Sequence, residues 1–323
     1  MIIVTGATGF IGSNIVADLN TAGHSDIVLV DDLGTASKWK NIAKRRFQDI
    51  VLPSELETLL SKLSGVDLVY HMGANSSTTA TDGDAILLGN FRASKILWEW
   101  CTLTRTPLIY ASSAATYGDG ALGFEDDQSL DALDALRPLN LYGWSKHAFD
   151  KWAAAQASAP PQWCGMKFFN VYGPNESHKG DMRSLVSKNT AAVAAGQSIG
   201  LFKSHRSDYA DGQQLRDFVY VKDCTRVMLW LAGCPQVSGI FNLGTGLARS
   251  FVDLINAIGS ALQTPAKINF IDMPESIRAN YQYFTQADMR KLLDAGYTSA
   301  FHTLEEGVAD YVREYLVKRD IYR

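Results

Sequence analysis

Cysteine is scarce in this chain, and its four copies stand far apart. Cys101, Cys164, Cys224 and Cys234 form no C-x-x-C pair, so neither a metal site nor a disulfide framework is expected. Buried free thiols in a reducing cytoplasm fit them best. Positive charge is not in excess: 30 Lys and Arg face 34 Asp and Glu, a net charge of −4. No basic footprint for nucleic acid or an anionic membrane is therefore expected. Long apolar runs are missing too. None approaches the ~20 residues that span a bilayer. Met1-Ile2-Ile3-Val4-Thr5-Gly6 reaches a glycine with no basic segment before it, unlike a secretory leader. There is no repeat and no low-complexity tract. A hydrophobic share of 46% over 323 residues is enough for one large or two modest domains of an ordinary globular protein.

Ile2-Ile3-Val4 reads as a buried strand, and Gly6-Ala7-Thr8-Gly9-Phe10-Ile11-Gly12 follows at once. Ile11, Ile15 and Leu19 then recur every four residues as far as Gly23, a helix stop. Strand, glycine turn and helix in this order make a phosphate cradle. Gly6, Gly9 and Gly12 let the backbone turn sharply and approach a pyrophosphate, which sits on outward-pointing amides at the helix N-terminus. The spacing is G-x-x-G-x-x-G, and its context on both sides gives it weight. A second strand at 26–30 ends in Asp31-Asp32, about 20 residues past the glycines, where an acid accepts hydrogen bonds from an adenosine ribose. Lys38 lies just beyond, placed to neutralise a ribose 2′-phosphate. The acids favour NAD and the lysine favours NADP, so both remain open.

Residues 66–71 form a further strand. It runs into Met72-Gly73-Ala74-Asn75-Ser76-Ser77-Thr78-Thr79, small and polar enough to lie along a dinucleotide. His71 closes a hydrophobic strand and reads as a satisfied structural histidine. Residues 84–104 read as one helix, with Asn90 its notable interior polar residue. The strand at 107–111 delivers Ser112 to Gly118 (SSAATYG) at its carboxyl end, where open parallel sheets bind ligands. Ser113 or Thr116 there is placed to hydrogen-bond a substrate hydroxyl. After a polar connection comes Asn140-Leu141-Tyr142-Gly143-Trp144-Ser145-Lys146, expected as a helix to about residue 156. A spacing of four puts Tyr142 and Lys146 on one face. A phenol with an ordinary pKa of roughly 10 is a poor acid–base group. An ammonium beside it favours the phenolate and draws that pKa down. Such a pair exchanges a proton with a hydroxyl while a hydride moves to or from a cofactor.

Residues 163–170 form another strand, and beyond Val171 the α/β alternation loosens. There follow a loop at 175–180 with His178 and Lys179, a helix at 182–195, and a long polar insertion at 203–216 with Arg206 and Arg216. Strands are expected at 217–221 and 239–243. Thr303-x-x-Glu306 is a capping box opening a last amphipathic helix. The expected fold is α/β, a Rossmann doubly wound parallel sheet with a smaller C-terminal α/β lobe. Residues 1–168, with a return near 217–245, are expected to hold the dinucleotide. Residues 169–216 and 246–323 are expected to hold the substrate.

With the glycine turn, the Ser113 loop and Tyr142-x-x-x-Lys146 in this order, the chain resembles the extended short-chain dehydrogenase/reductase family over essentially its whole length. This is the family of nucleotide-sugar epimerases and dehydratases. SSAATYG at 112–118, FNVYGP at 169–174 with His178-Lys179-Gly180, and YQYFTQAD at 281–288 are similar to the branch acting on the ADP-linked heptose of the lipopolysaccharide core. The resemblance implies an isomerase that oxidises C6″ of ADP-heptose with bound NADP and returns the hydride to the opposite face. The ketone must turn over between the half-reactions. Two proton carriers are therefore implied, Tyr142 for one epimer and Lys179 for the other, with Lys146 and Ser113 beside them. By matching position, Phe10, Ile11, Asp31, Asp32, Lys38, Met72, Gly73, Ala74, Asn75, Ser76, Asn90, Tyr142, Lys146 and Val171 join the glycines around the cofactor. Asn170, Lys179, Asp181, Lys188, Phe202, Lys203, Ser204, His205, Arg216, Tyr281 and Ser113 face the ADP-heptose. Arg216 is the candidate for the diphosphate, because a guanidinium fork matches phosphate oxygens. A homo-oligomer is implied as well, a pentamer among the forms. The chain departs from the family pattern at Asp32, where asparagine is common, at Lys188 for histidine, at Asp181 for a small hydroxyl residue, and in its longer 203–216 segment. A 4,6-dehydratase would want a carboxylate pair where Ala114 and Ala115 stand. A non-catalytic dinucleotide sensor would have no need of an intact Tyr142 and Lys146.

Overall fold

The computed structural model describes residues 1–278, 281–318 and 320–323. Six strands come first: β1 (Ile2–Thr5), β2 (Ile27–Val30), β3 (Asp49–Val51), β4 (Leu68–His71), β5 (Leu108–Ser113) and β6 (Trp163–Phe168). Six more follow: β7 (Asn170–Tyr172), β8 (Ser198–Phe202), β9 (Leu215–Tyr220), β10 (Gly239–Leu243), β11 (Ala248–Ser250) and β12 (Lys267–Ile271). Seven of them make one sheet in the order β10-β6-β5-β4-β1-β2-β3, with every pair parallel. Parallel strands covered on both faces read as unbroken apolar runs, and β1, β2 and β4 are buried along their whole length. Alternate residues feed two layers. Val4, Leu29, Tyr70 and Ile109 pack under the helices Phe10–Thr21 and Val221–Ala232. Ile3, Val30, Val69 and Leu108 meet Leu97, Trp98, Phe149 and Ala153 from the helices Ala93–Thr104 and Leu141–Ala154. This is the doubly wound sheet expected from the sequence.

The second lobe has its own core. β11, β9 and β7 form a three-stranded sheet, and β12 pairs with β8. Tyr172, Val186, Leu201, Phe218, Leu254, Val308 and Tyr311 are among the side chains buried between these strands and the helices Leu185–Ala194, Phe251–Leu262 and Leu304–Tyr311. Thr303 and Glu306 close the expected capping box. Three details differ from expectation. β3 is a three-residue strand without a legible pattern. The single helix expected at 84–104 is broken by a wider π-helical turn at Leu87–Arg92. Of the return expected near 217–245, β10 joins the seven-stranded sheet, whereas β9 lies in the smaller one. No helix among the described residues is long and apolar enough to cross a membrane.

Candidate active site

The chain turns at Gly6 with a φ of +62°. A Cβ on Gly6 would stand 2.6 Å from the Gly73 nitrogen, and one on Gly12 would stand 2.2 Å from the Gly6 oxygen. Only glycine fits a turn pressed so closely against the loop after β4. Gly9 precedes the helix Phe10–Thr21, and no side chain caps that end. Its first amides are left for an anion, which suits a pyrophosphate. Asp31 lies beneath this turn. One carboxylate oxygen accepts the Thr8 N–H at 2.8 Å and the Thr8 hydroxyl at 2.7 Å. The other accepts the Asp32 N–H at 2.8 Å and Lys38 Nζ at 2.7 Å. A carboxylate offers about four lone-pair sites, so Asp31 braces the turn and can meet a ribose only by giving up one of these donors. The Asp32 side chain is exposed and meets only Lys38, at 3.6 Å, among the described residues.

Asn90 sits in the π-helical turn and is buried. Its Oδ1 accepts the Asn75 N–H at 2.8 Å, while its Nδ2 donates to the Asn75 carbonyl at 3.0 Å and to Ser145 Oγ at 2.9 Å. The loop from Met72 to Ser76 is thereby tied to the Tyr142 helix. His71 is the structural residue expected. Its ring nitrogens bond Thr5 Oγ1 at 2.7 Å and Ser94 Oγ at 2.8 Å. Burial, with Lys146 nearby, pushes its pKa down to about 3, so it is neutral at physiological pH.

Asn140 caps the helix Leu141–Ala154, accepting the Gly143 N–H at 2.8 Å. A Cβ on Gly143 would lie 2.7 Å from the Ala115 oxygen. The helix thus rests directly on the turn Ala114–Tyr117 that follows β5. This contact sets Ser113, whose Oγ accepts the Ala115 N–H at 3.1 Å, close enough to Tyr142 to act on its phenol. Lys146 is buried one turn on. Burial draws its pKa down to about 8, against an opposing pull from Asp150. The Tyr142 phenol behaves otherwise than expected. Burial raises its pKa, outweighing the Ser113 hydrogen bond, and Asp150 adds to the rise. The protein surroundings alone favour the neutral phenol, because desolvation penalises the charged form.

Lys179 lies on the turn Ser177–Met182, with Nζ 5.2 Å from the centre of the Phe10 ring. Burial lowers its pKa, and Glu176 opposes this. Buried Glu176 anchors the turn by accepting the Ser184 N–H and hydroxyl, each at 2.6 Å. Lys188 Nζ donates to the Asp181 carbonyl at 2.5 Å, so these two brace the turn through backbone. Arg216 is buried yet meets no carboxylate among the described residues. It donates to the Leu215 and Gln282 carbonyls and lies 5.6 Å and 5.3 Å from the Phe251 and Tyr281 rings. A buried cation paired only with carbonyls and π faces is suited to an anion. Phe202 packs edge-on to Tyr281, and the Gln282 amide donates to Gly118, joining this corner to the Ser113 loop. Lys203 pairs with Asp272 at 3.1 Å. The Ser204 and His205 amides bond Asp211 and the Tyr283 hydroxyl. Asn170 accepts the Thr285 hydroxyl at 3.4 Å. Val171 packs where the two cores meet. The structure therefore groups Tyr142, Lys146 and Ser113, and separately Arg216, Tyr281 and Phe202. The ring that Lys179 covers is on the cradle helix.

The model of the NAD dependent epimerase/dehydratase family matches residues 2–244. The chain belongs to this family. Within it, the chain is 50% identical to the ADP-L-glycero-D-manno-heptose-6-epimerase of Nitratidesulfovibrio vulgaris strain DP4, over 99% of each chain. The crystal structure of the Helicobacter pylori ADP-L-glycero-D-manno-heptose-6-epimerase is similar at a TM-score of 0.78 and 28% identity, covering 97% of this chain and 95% of that one. MoeE5, solved in complex with UDP-glucose and NAD, is similar at a TM-score of 0.74 and 26% identity, covering 96% and 97%.

Two residues of this epimerase/dehydratase fold escaped the sequence reading. Asp150 is fully buried, one further turn along the stripe that carries Tyr142 and Lys146, and it pairs with fully buried Lys167 of β6 at 3.0 Å. Both had a signal. Asp150 stands eight residues after Tyr142, on the same helix face. Lys167 is the one charge in the apolar run WCGMKFF.

Proposed function

We propose that this protein interconverts ADP-D-glycero-β-D-manno-heptose and ADP-L-glycero-β-D-manno-heptose by transient oxidation at C6″ and return of the hydride to the opposite face. The observation that carries this reading is the 50% identity, over 99% of both chains, to a protein named for that epimerisation. The cradle around Gly6 and Gly12 supports a nicotinamide dinucleotide, whose chemistry is to accept and return the hydride. Lys38 and Asp32 are the residues that decide between a ribose 2′-phosphate and a free 2′-hydroxyl, and Lys38 favours NADP. Residues 1–168 with the β10 return hold this dinucleotide, and the remaining lobe holds the sugar nucleotide. Arg216 takes the diphosphate, with Tyr281 and Phe202 beside it.

Tyr142 exchanges the proton of the C6″ hydroxyl in one epimer. Ser113 donates to or accepts from the same oxygen, and the Lys146 ammonium biases Tyr142 toward the phenolate once a positive charge joins it in the site. The opposite epimer presents its hydroxyl from the other side, and Lys179, with its pKa lowered by burial, is the carrier there. The working form is a homo-oligomer, which sedimentation tests. The decisive experiment incubates purified protein with ADP-D-glycero-D-manno-heptose and follows both C6″ epimers by proton NMR. A mixture of the two is expected. A folded protein that converts nothing, with NADP and then NAD supplied, overturns the assignment.

A further inference from the structure

The buried pair Asp150–Lys167 ties together the two elements that must cooperate in the proposed chemistry. From β5, the Tyr110 hydroxyl donates to Asp150 at 3.0 Å and the Ser112 hydroxyl donates at 2.6 Å. From β6, Lys167 Nζ donates to Asp150 at 3.0 Å and to Thr116 Oγ1 at 2.6 Å, lying 4.8 Å from the centre of the Tyr117 ring. Thr116 passes the link on to the Ser113 carbonyl at 2.8 Å. Ser112 and Ser113 end β5 and Thr116 lies on the turn that follows it, while Asp150 belongs to the helix of Tyr142 and Lys146. Every connection is dry, since Asp150, Lys167, Thr116 and Ser112 are all within 1% of full burial.

We propose that Asp150 and Lys167 are positioning residues of the acid–base apparatus, locking the Ser113 loop to the Tyr142 helix and placing a fixed negative charge one turn behind Lys146. A single carboxylate that meets two hydroxyls and an ammonium holds its neighbours in one geometry. That geometry sets the approach of Ser113 to Tyr142. The carboxylate also faces Lys146 along the helix, where it favours the ammonium against burial. The other titratable or charged groups that face the pair are Tyr110 on β5, Tyr117 on the turn after it, Tyr142 and His147 on the same helix and Lys291 beyond Lys167, while His71 on β4 faces Lys146. Asp150 is the anion that acts on Lys146.

The inference rests on the proposed epimerisation, so its test has one arm that needs no substrate. The double variant Asp150→Asn with Lys167→Met removes both charges together, an exchange that buried pairs tolerate better than loss of one partner. Its kcat is expected to fall on the order of 100-fold, with misplacement rather than lost binding as the cause, and KM is expected to stay near the wild-type value. The alkaline limb of kcat should move to lower pH, because Lys146 has lost its anion. Lys167→Arg keeps the charge and should retain the wild-type limb and most of kcat. In the substrate-free arm, NMR of labelled lysine follows the Lys146 ammonium against pH, and its midpoint should fall in the double variant. A folded double variant with unchanged kcat overturns the proposal. So does a fall in kcat with neither limb nor ammonium midpoint displaced, which is what a purely structural role would give. If the double variant does not fold, Thr116→Val breaks the far link alone. Its kcat should then fall roughly tenfold, and an unchanged kcat overturns the proposal. A wild-type protein inactive on ADP-heptose counts against the substrate assignment, while the ammonium titration still decides the role of the pair.

Discussion

Tyr142 carries the proton of one half-reaction in the proposed scheme, and its neighbours define what a substitution should do. Tyr142→Phe removes the hydroxyl on which Ser113 acts and leaves the cradle intact. Turnover should fall by about 100-fold to 10,000-fold, the usual worth of a positioned acid–base group, while dinucleotide still binds. Unchanged turnover in a kinetic assay would remove Tyr142 from the mechanism. Lys179→Met separates a base from a ligand. A loss in kcat far larger than any loss in substrate affinity is expected. A change in affinity alone, measured by calorimetry, would make Lys179 a binding residue, a role compatible with its place over the Phe10 ring. Tyr142, Lys146 and Ser113 were legible in the sequence because helical spacing and a strand end fix where such side chains go. The pKa of Tyr142 was not, because burial of the phenol is a tertiary property that local spacing does not encode. The bracing role of Asp31 was hidden for the same reason. Its four donors come from three separate stretches of chain.

The Tyr142 helix and the Ser113 loop touch through Gly143, and that contact has no slack. Gly143→Ala would set a methyl 2.7 Å from the Ala115 oxygen, so helix and loop must separate. A displacement near 1 Å at a reacting pair costs on the order of 100-fold. We expect a loss of kcat of that order with dinucleotide affinity retained, measured by steady-state kinetics beside fluorescence titration. Near-normal kcat would show that the loop yields without disturbing Ser113. Strands β1, β2 and β5 were legible as apolar runs ending in glycine, aspartate and serine respectively, and the helix at 84–104 was legible in its extent. The π-helical turn within it was not, because a change of hydrogen-bond register leaves no mark in composition. From the helix itself Asn90 stood out as an interior polar residue, and the family resemblance placed it at the cofactor. β3 was missed because three residues carry no period.

The protein as a whole holds histidines neutral inside its two lobes, and this sets its response to acid. His71 has a folded pKa of about 3, and His147 and His178 of about 4, against an ordinary value near 6.5. Between these limits the unfolded chain binds protons that the folded chain does not. Stability therefore falls as pH drops below about 6.5. His71→Asn keeps a neutral hydrogen-bonding group in place. The decline in melting temperature between about pH 6.5 and about pH 5 should be shallower in this variant than in the wild type. Equal slopes would exclude His71 from the acid response. The α/β class and the presence of a second lobe were legible from the order of elements. The separate sheet of β7, β9 and β11 was not, because an apolar strand does not announce which sheet it joins.

The addition of β10 to the outer side of β6 has a consequence for synthesis. β6 ends at Phe168 and its partner begins at Gly239, with β7, β8 and β9 of the other lobe made in between. Until β10 emerges from the ribosome, β6 offers the nascent sheet a bare edge of largely apolar residues with unpaired amides and carbonyls, a template for the wrong chain. Fragments that stop before Gly239 should therefore clump rather than stand alone, and the half of the chain proposed to hold the dinucleotide cannot be borrowed as a module by cutting where the alternation of strands and helices first loosens.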